Sequence, residues 1–316
     1  MEAERGVRSV RVLNLLGDLI ADRARSAVPD AEILTLAPDE VTDDVRADVL
    51  CSSFTPLPLH DRLDAIGVRW MHLPGTGVDT WPAEKLRGRI VTCARGASAV
   101  PIAEYVLAAM LAFEKDLPGI FLSAPPERWN FATLGELSGR TVGIVGLGGI
   151  GEAVAVRALA FGCRVRALRR RPEMGAPAGV ELATDLGDLL ADADHLVLAA
   201  PATAATAHLL DDDAFAAVKP GVHLVNIARG SLVDQAALRR SLDAGRVAMA
   251  TLDTVTPEPL PEGHWMYAHD RVRLTAHVSW GSPHGLARIQ ASFVDNLVRY
   301  VSGEPLLGVV DPDEAY

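Results

Sequence analysis

The segment TVGIVGLGGIGEAVAVRALAFG, residues 141–162, decides the architecture. A β-branched run, Thr141–Val145, enters the turn Gly146-Leu-Gly148-Gly149-Ile150-Gly151, and a helical pattern follows at once. GxGxxG alone is a weak signal, but between a strand and a helix each glycine has a task. Gly146 permits the tight turn, Gly148 lets the backbone approach a pyrophosphate, and Gly151 allows close helix–strand packing. The first turn of the helix presents unpaired amide hydrogens to the anion. Gly146, Gly148, Gly149, Ile150 and Gly151 are thus the expected pyrophosphate contacts of a dinucleotide.

The next strand, Cys163–Leu168, bears on which dinucleotide. An NAD site places an acid at that strand's end, about 20 residues beyond the motif, for the ribose hydroxyls. Here the chain reads Leu168-Arg169-Arg170-Arg171-Pro172, with no acid before Glu173. Guanidinium forks pair well with phosphate, so Arg169 and Arg170 are expected at a 2′-phosphate and NADP(H) is preferred over NAD(H). Arginine is common in this chain, since only Lys85, Lys115 and Lys219 of its 30 basic residues are lysine. The missing acid therefore counts for as much as the bases.

Outward from this centre, short strand-like runs alternate with helical patterns from end to end, an α/β arrangement. Val10–Leu16, Ala31–Leu36, Asp48–Ser52, Val68–Leu73 and Ile90–Cys93 form one small doubly wound unit. Pro101–Phe113 has a broad apolar helical face, and the proline-bearing stretch Leu117–Leu137 reads as a connection. Further strands are expected at His195–Ala199, Gly221–Asn226, Ala248–Asp253 and Val272–Thr275, with an amphipathic helix over Gly285–Val301.

A length of 316 residues with 49% hydrophobic content supports two domains and excludes predominant disorder. With 41 acids against 30 bases and a formal charge of −11, the general surface is unsuited to nucleic acid, which needs a basic stripe, and only a small local basic cluster is left open. Cys51, Cys93 and Cys163 show no CxxC spacing, which excludes a disulfide framework and a four-thiolate zinc site. The N-terminus has no apolar stretch of signal-peptide type, and no apolar run reaches the ~18 residues of a membrane span. The expectation is a cytoplasmic protein without a membrane partner.

Further stretches carry a resemblance. Asn226-Ile-Ala-Arg229-Gly-Ser-Leu-Val-Asp234, Asp253-Thr-Val-Thr-Pro-Glu258-Pro-Leu-Pro261 and Thr275-Ala-His277 stand in order beyond the glycine motif. Leu73-Pro-Gly75-Thr76-Gly77-Val-Asp79, Ala103-Glu104, Pro201-Ala-Thr203 and Gly303–Asp311 complete the pattern. Nearly the whole chain resembles the D-isomer-specific 2-hydroxyacid dehydrogenases. The resemblance implies a Rossmann dinucleotide-binding domain, residues 99–285, inserted into a smaller flavodoxin-like α/β substrate domain, residues 1–98 and 286–316, with the active site in the cleft between them. It implies Arg229, Glu258 and His277 as catalytic residues, and Gly75, Thr76, Gly77 and Arg229 at the substrate. It also places Pro201, Thr206, Ile227, Ala228, Asp253 and His277 beside the cofactor.

The residue types suit the chemistry. A 2-oxo acid needs its carboxylate held, its carbonyl polarised, and a proton delivered as hydride arrives. Arg229 supplies the first two through a rigid fork of donors. His277 donates the proton on reduction and accepts it on oxidation, while Glu258, bonded to the other ring nitrogen, fixes the tautomer and favours the charged ring. His264, His269, His277 and His284 match no helical metal spacing, so no metal is expected.

Two departures stand out: Ala276 replaces the usual proline before the histidine, and Trp280 either walls the substrate pocket or packs in the core. Glu258 argues against formate dehydrogenases, which carry Gln there, and Thr76 against phosphite dehydrogenases, which carry Lys. What remains is a 2-oxo acid reductase of glyoxylate/hydroxypyruvate type. Two rival readings are a nucleotide-sensing protein similar to the corepressors that share this pattern, and a dehydrogenase of the same fold with a different substrate. The resemblance also implies a homodimer formed through the nucleotide domain, with Leu117–Leu137 as an exchanged arm.

Overall fold

Residues 9–314 are described by the computed structural model, and they fall into two units. One takes the chain up to Ser98 and again from Ser282; the other is Ala99–Gly281. In the first, strands β1 (Arg11–Asn14), β2 (Glu32–Thr35), β3 (Val49–Cys51), β4 (Trp70–Leu73) and β5 (Ile90–Cys93) form a parallel sheet in the order β2-β1-β3-β4-β5. That is the flavodoxin-like order. Successive residues point to opposite faces, so Leu13, Leu50 and Met71 enter one core while Val12, Val49 and Trp70 enter the other. The second core is closed by the helix Gly285–Ser302, whose Phe293 stacks on Trp70 with ring centroids 5.6 Å apart.

The second unit holds β6 (Thr141–Val145), β7 (Arg164–Leu168), β8 (Val180–Leu182), β9 (His195–Leu198), β10 (Val222–Asn226), β11 (Val247–Leu252) and β12 (Val272–Leu274). All seven are parallel, in the order β12-β11-β10-β9-β6-β7-β8. Val142, Ile144, Val197 and Val225 face the helices Ala99–Glu114 and Gly149–Ala160. Leu196, Leu198 and Leu224 face the helices Leu186–Asp192, Asp212–Ala217 and Gln235–Asp243. Strand order reverses between β6 and β9, and in open α/β sheets the crevice at the carboxyl ends beside such a reversal receives the ligand.

Strand β8 has no counterpart among the strands expected from the sequence. It is three residues long, pairs only with β7, and follows Gly179 at φ +86°. An edge strand so short has too few residues for an alternation to register.

At the opposite, amino ends of β9 and β10, buried imidazoles form a chain. Glu114 Oε1 lies 3.1 Å from His195 Nε2, His195 Nδ1 lies 3.1 Å from His223 Nδ1, and His223 Nε2 lies 2.9 Å from Thr251 Oγ1. Burial pushes both histidines below the ordinary imidazole range, which keeps them neutral and structural. No helix among the described residues is long and apolar enough to cross a membrane.

Candidate active site

The turn after β6 is built for close approach. A Cβ at Gly146 (φ +99°) would lie 2.6 Å from Ala200 N, and one at Gly151 would lie 2.1 Å from Gly146 O. At Gly148 the same construction meets nothing within 4 Å. Open space at the head of the helix Gly149–Ala160, where the first amides lack helical partners, fits a pyrophosphate. The expected contacts Gly146, Gly148, Gly149, Ile150 and Gly151 all lie on this turn or in the first helical residues.

Gly146 N donates to Leu168 O at 2.8 Å, which ties the turn to the end of β7 just before Arg169. Arg164 and Arg166, on β7 itself, are paired with Glu181, Asp188 and Asp192. Arg169 instead donates to Gly175 O and reaches Met174 Sδ at 3.6 Å, both neutral acceptors. The first acid after β7, Glu173, sits in the 3₁₀ turn Pro172–Met174.

Beyond β10, the buried Asn226 shapes the next loop. Its Oδ1 accepts from Ala228 N at 3.0 Å and its Nδ2 donates to Arg229 O at 2.9 Å. Ile227 and Ala228 are buried by this clamp, and Arg229 emerges partly exposed, with one guanidinium nitrogen donating to Ala228 O at 2.8 Å. A Cβ at Gly230 would lie 2.0 Å from Val255 C. The Arg229 loop therefore lies directly on the loop that follows β11. Asn226 and Gly230 are supporting residues that the sequence reading quoted without assigning a task. An amide and a glycine flanking the arginine were the available signal.

That second loop carries Glu258. Its Oε1 accepts from Val255 N at 3.1 Å, and its Oε2 lies 2.9 Å from His277 Nδ1. A carboxylate only accepts, so Nδ1 carries the hydrogen of this pair and Nε2 lies outside it. Both side chains remain accessible, 41% for His277 and 38% for Glu258. The expected Glu258–His277 pair is thus assembled across 19 residues of sequence.

His277 stands in the left-handed region at φ +53°, uncommon for a residue with a side chain. Asp253, expected at the cofactor, is buried and grips this turn. Its Oδ1 accepts from Thr275 Oγ1 at 2.6 Å and Val278 N at 2.8 Å, and its Oδ2 accepts from Ser279 N at 3.0 Å. His277 N donates to Asp253 O at 2.9 Å. Trp280 is 46% exposed rather than packed in a core, and its indole N–H donates to His277 O at 3.0 Å.

Pro201 and Thr206 lie in the loop after β9, where Thr206 Oγ1 donates to Pro201 O at 2.7 Å. Gly75, Thr76 and Gly77 lie beyond the carboxyl end of β4 in the first unit, where Gly75 O accepts from Ala94 N at 3.1 Å. No group of three or more potential metal ligands occurs among the described residues.

A family model described as D-isomer specific 2-hydroxyacid dehydrogenase, NAD binding domain, matches residues 107–279. D-3-phosphoglycerate dehydrogenase of Mycobacterium tuberculosis (strain ATCC 25618 / H37Rv) is 33% identical over 287 residues, covering 90% of this chain and 52% of that protein. The chain thus spans about half the length of the curated relatives it matches. Among solved structures, a D-isomer specific 2-hydroxyacid dehydrogenase from Xanthobacter autotrophicus Py2, in complex with NADPH and MES, aligns with a TM-score of 0.83. It is 27% identical, over 98% of this chain and 100% of that one. The TT0316 protein from Thermus thermophilus aligns with a TM-score of 0.74 at 32% identity, over 95% and 100%.

Proposed function

The chain belongs to the D-isomer-specific 2-hydroxyacid dehydrogenase family, and from that premise we propose that it interconverts a small 2-oxo acid and its D-2-hydroxy acid using NADP(H). The observation that carries this is the 2.9 Å pairing of His277 Nδ1 with Glu258 Oε2, an acid–base unit on an accessible loop. Gly146, Gly148 and Gly151 would hold the pyrophosphate of a dinucleotide, whose nicotinamide would supply the hydride for reduction and take it up in oxidation. His277 Nε2 gives a proton to the carbonyl oxygen during reduction and takes it back during oxidation. Glu258 stabilises the charged ring between these transfers, and Arg229 holds the substrate carboxylate and polarises the carbonyl.

The test is initial-rate absorbance loss at 340 nm, with NADPH and NADH each offered against glyoxylate, hydroxypyruvate, pyruvate and phenylpyruvate. Turnover of glyoxylate or hydroxypyruvate with NADPH is expected. No turnover with any pair, in protein that binds the cofactor, would reject the reading.

The preference for NADP(H) rests on Arg169 and Arg170 standing where an acid would serve NAD, and is supported by the NADPH held by the Xanthobacter relative. Charge-assisted hydrogen bonds contribute about 1.5–3 kcal/mol each. Changing both arginines to alanine is therefore expected to weaken NADPH binding by about tenfold or more, with NADH affected less than about twofold. Isothermal titration with each cofactor measures this, and equal losses for the two would remove the phosphate role.

A homodimer is part of the same proposal. Phe121, Trp129 and Phe131 are 70%, 73% and 68% exposed on the stretch between the helix Ala99–Glu114 and β6, and aromatic surface of this kind marks interaction sites. Sedimentation equilibrium should give the mass of two chains, and a one-chain mass at micromolar concentration would refute it.

A further inference from the structure

His277 holds a backbone conformation that a side-chain-bearing residue adopts only when its surroundings impose it. The hydrogen bonds that impose it lead away from the reacting atoms. Asp253 binds Thr275, Val278 and Ser279 around the turn, and Thr275 Oγ1 lies 2.7 Å from the hydroxyl of Tyr105, on the helix Ala99–Glu114.

The direction of each hydrogen follows from the chemistry. Burial pushes the Asp253 carboxyl up, but hydrogen bonds from Ser279, Thr275 and Val278 together outweigh it and hold the group below its ordinary value. It is a carboxylate, so the single hydroxyl hydrogen of Thr275 goes to Asp253. Thr275 Oγ1 must then accept from Tyr105. Burial raises the Tyr105 phenol, which keeps it protonated and able to donate. The chain Tyr105 to Thr275 to Asp253 therefore runs one way and ends on the Asp253 carboxylate, which also accepts from the amides of Val278 and Ser279, the residues that follow His277.

We propose that Tyr105 is a positioning residue, holding through Thr275 and Asp253 the left-handed turn that aims His277. The inference rests on the reading of His277 as the acid–base group. Tyr105 touches neither that ring nor Glu258 through any of these bonds, so its effect is felt only as the geometry of the turn.

The experiment uses the full chain with Tyr105→Phe, which removes one hydroxyl, Thr275→Val, and the double variant. With Tyr105→Phe, kcat for the 2-oxo acid is expected to fall about five- to tenfold while its KM and the NADPH Kd stay within about twofold. Because both changes cut one chain of bonds, the double variant should be no slower than Thr275→Val alone. In the cofactor-free protein the ring signal of His277, assigned by its loss in His277→Asn, should broaden in Tyr105→Phe as the turn samples a second arrangement. Unchanged kcat, or a fall in kcat and NADPH affinity together with an unaltered His277 signal, would overturn the proposal. If the ring signal responds but wild-type protein reduces no 2-oxo acid, the positioning stands and the assigned reaction falls.

Discussion

Replacing His277 with asparagine is expected to lower kcat for the proposed 2-oxo acid reduction by about a hundredfold to ten-thousandfold, the span a positioned general acid contributes, and to leave the NADPH Kd within about twofold. Asparagine is the informative choice because it tolerates the left-handed backbone that His277 occupies at φ +53°. The loop should then keep its course, and the loss reports the missing proton donor rather than a collapsed turn. His277→Ala removes the same group but also puts a Cβ-bearing residue without local hydrogen bonding into that region, so it should be equally slow and somewhat less stable. The glycine turn proposed to hold the pyrophosphate lies on a different loop and is untouched by either change. Stopped-flow hydride transfer with titration of NADPH binding separates the two quantities. An asparagine variant within tenfold of wild type would mean that another group delivers the proton.

Arg229→Lys is expected to reduce kcat/KM by about a hundredfold or more despite the conserved charge. A guanidinium presents several N–H groups in a fixed plane and can bind a carboxylate through two parallel hydrogen bonds, whereas an ammonium is a point charge on a mobile stem. The position amplifies the difference. Asn226 holds the backbone of Ala228 and Arg229 by two hydrogen bonds, and Gly230 lets the loop lie on Val255, so the chain has no slack with which to re-aim a differently shaped side chain. NADPH binding should change little. Steady-state rates over a range of 2-oxo acid concentrations measure the effect. A lysine variant with near-wild-type kcat/KM would remove the bidentate role.

Much of this arrangement was legible in the residues. A periodic run either fits a strand or a helix, so the strands around Gly146 and the helix beginning near Pro101 could be read locally. The Glu258–His277 pair was reached through the order of several motifs rather than any one of them, since an isolated histidine or glutamate carries no such meaning. Other features left no periodic trace. Tyr105 and Thr275 are 170 residues apart, and nothing in the spacing of two hydroxyls announces that they meet. Asp253 was expected at the cofactor because of the motif around it, and nothing in that motif announced that both its oxygens also bind the His277 turn. Trp280 was open between pocket and core, and its exposure removes the core option.

The helix Gly285–Ser302 closes a core whose strands come from the first third of the chain. During synthesis, β1, β3 and β4 leave the ribosome well before that helix exists, so the core of Val12, Val49 and Trp70 has Ile20, Ala24 and Val28 from its early neighbours and stays half-covered until Phe293, which stacks on the indole, and Leu297 arrive. Ala99–Gly281 has every strand of its own sheet before then and can fold as it is made. The nascent chain thus carries a complete seven-stranded sheet together with a half-covered apolar face of the other, a surface that invites aggregation or chaperone capture. The helix Gly285–Ser302 sets the moment at which that face is fully covered.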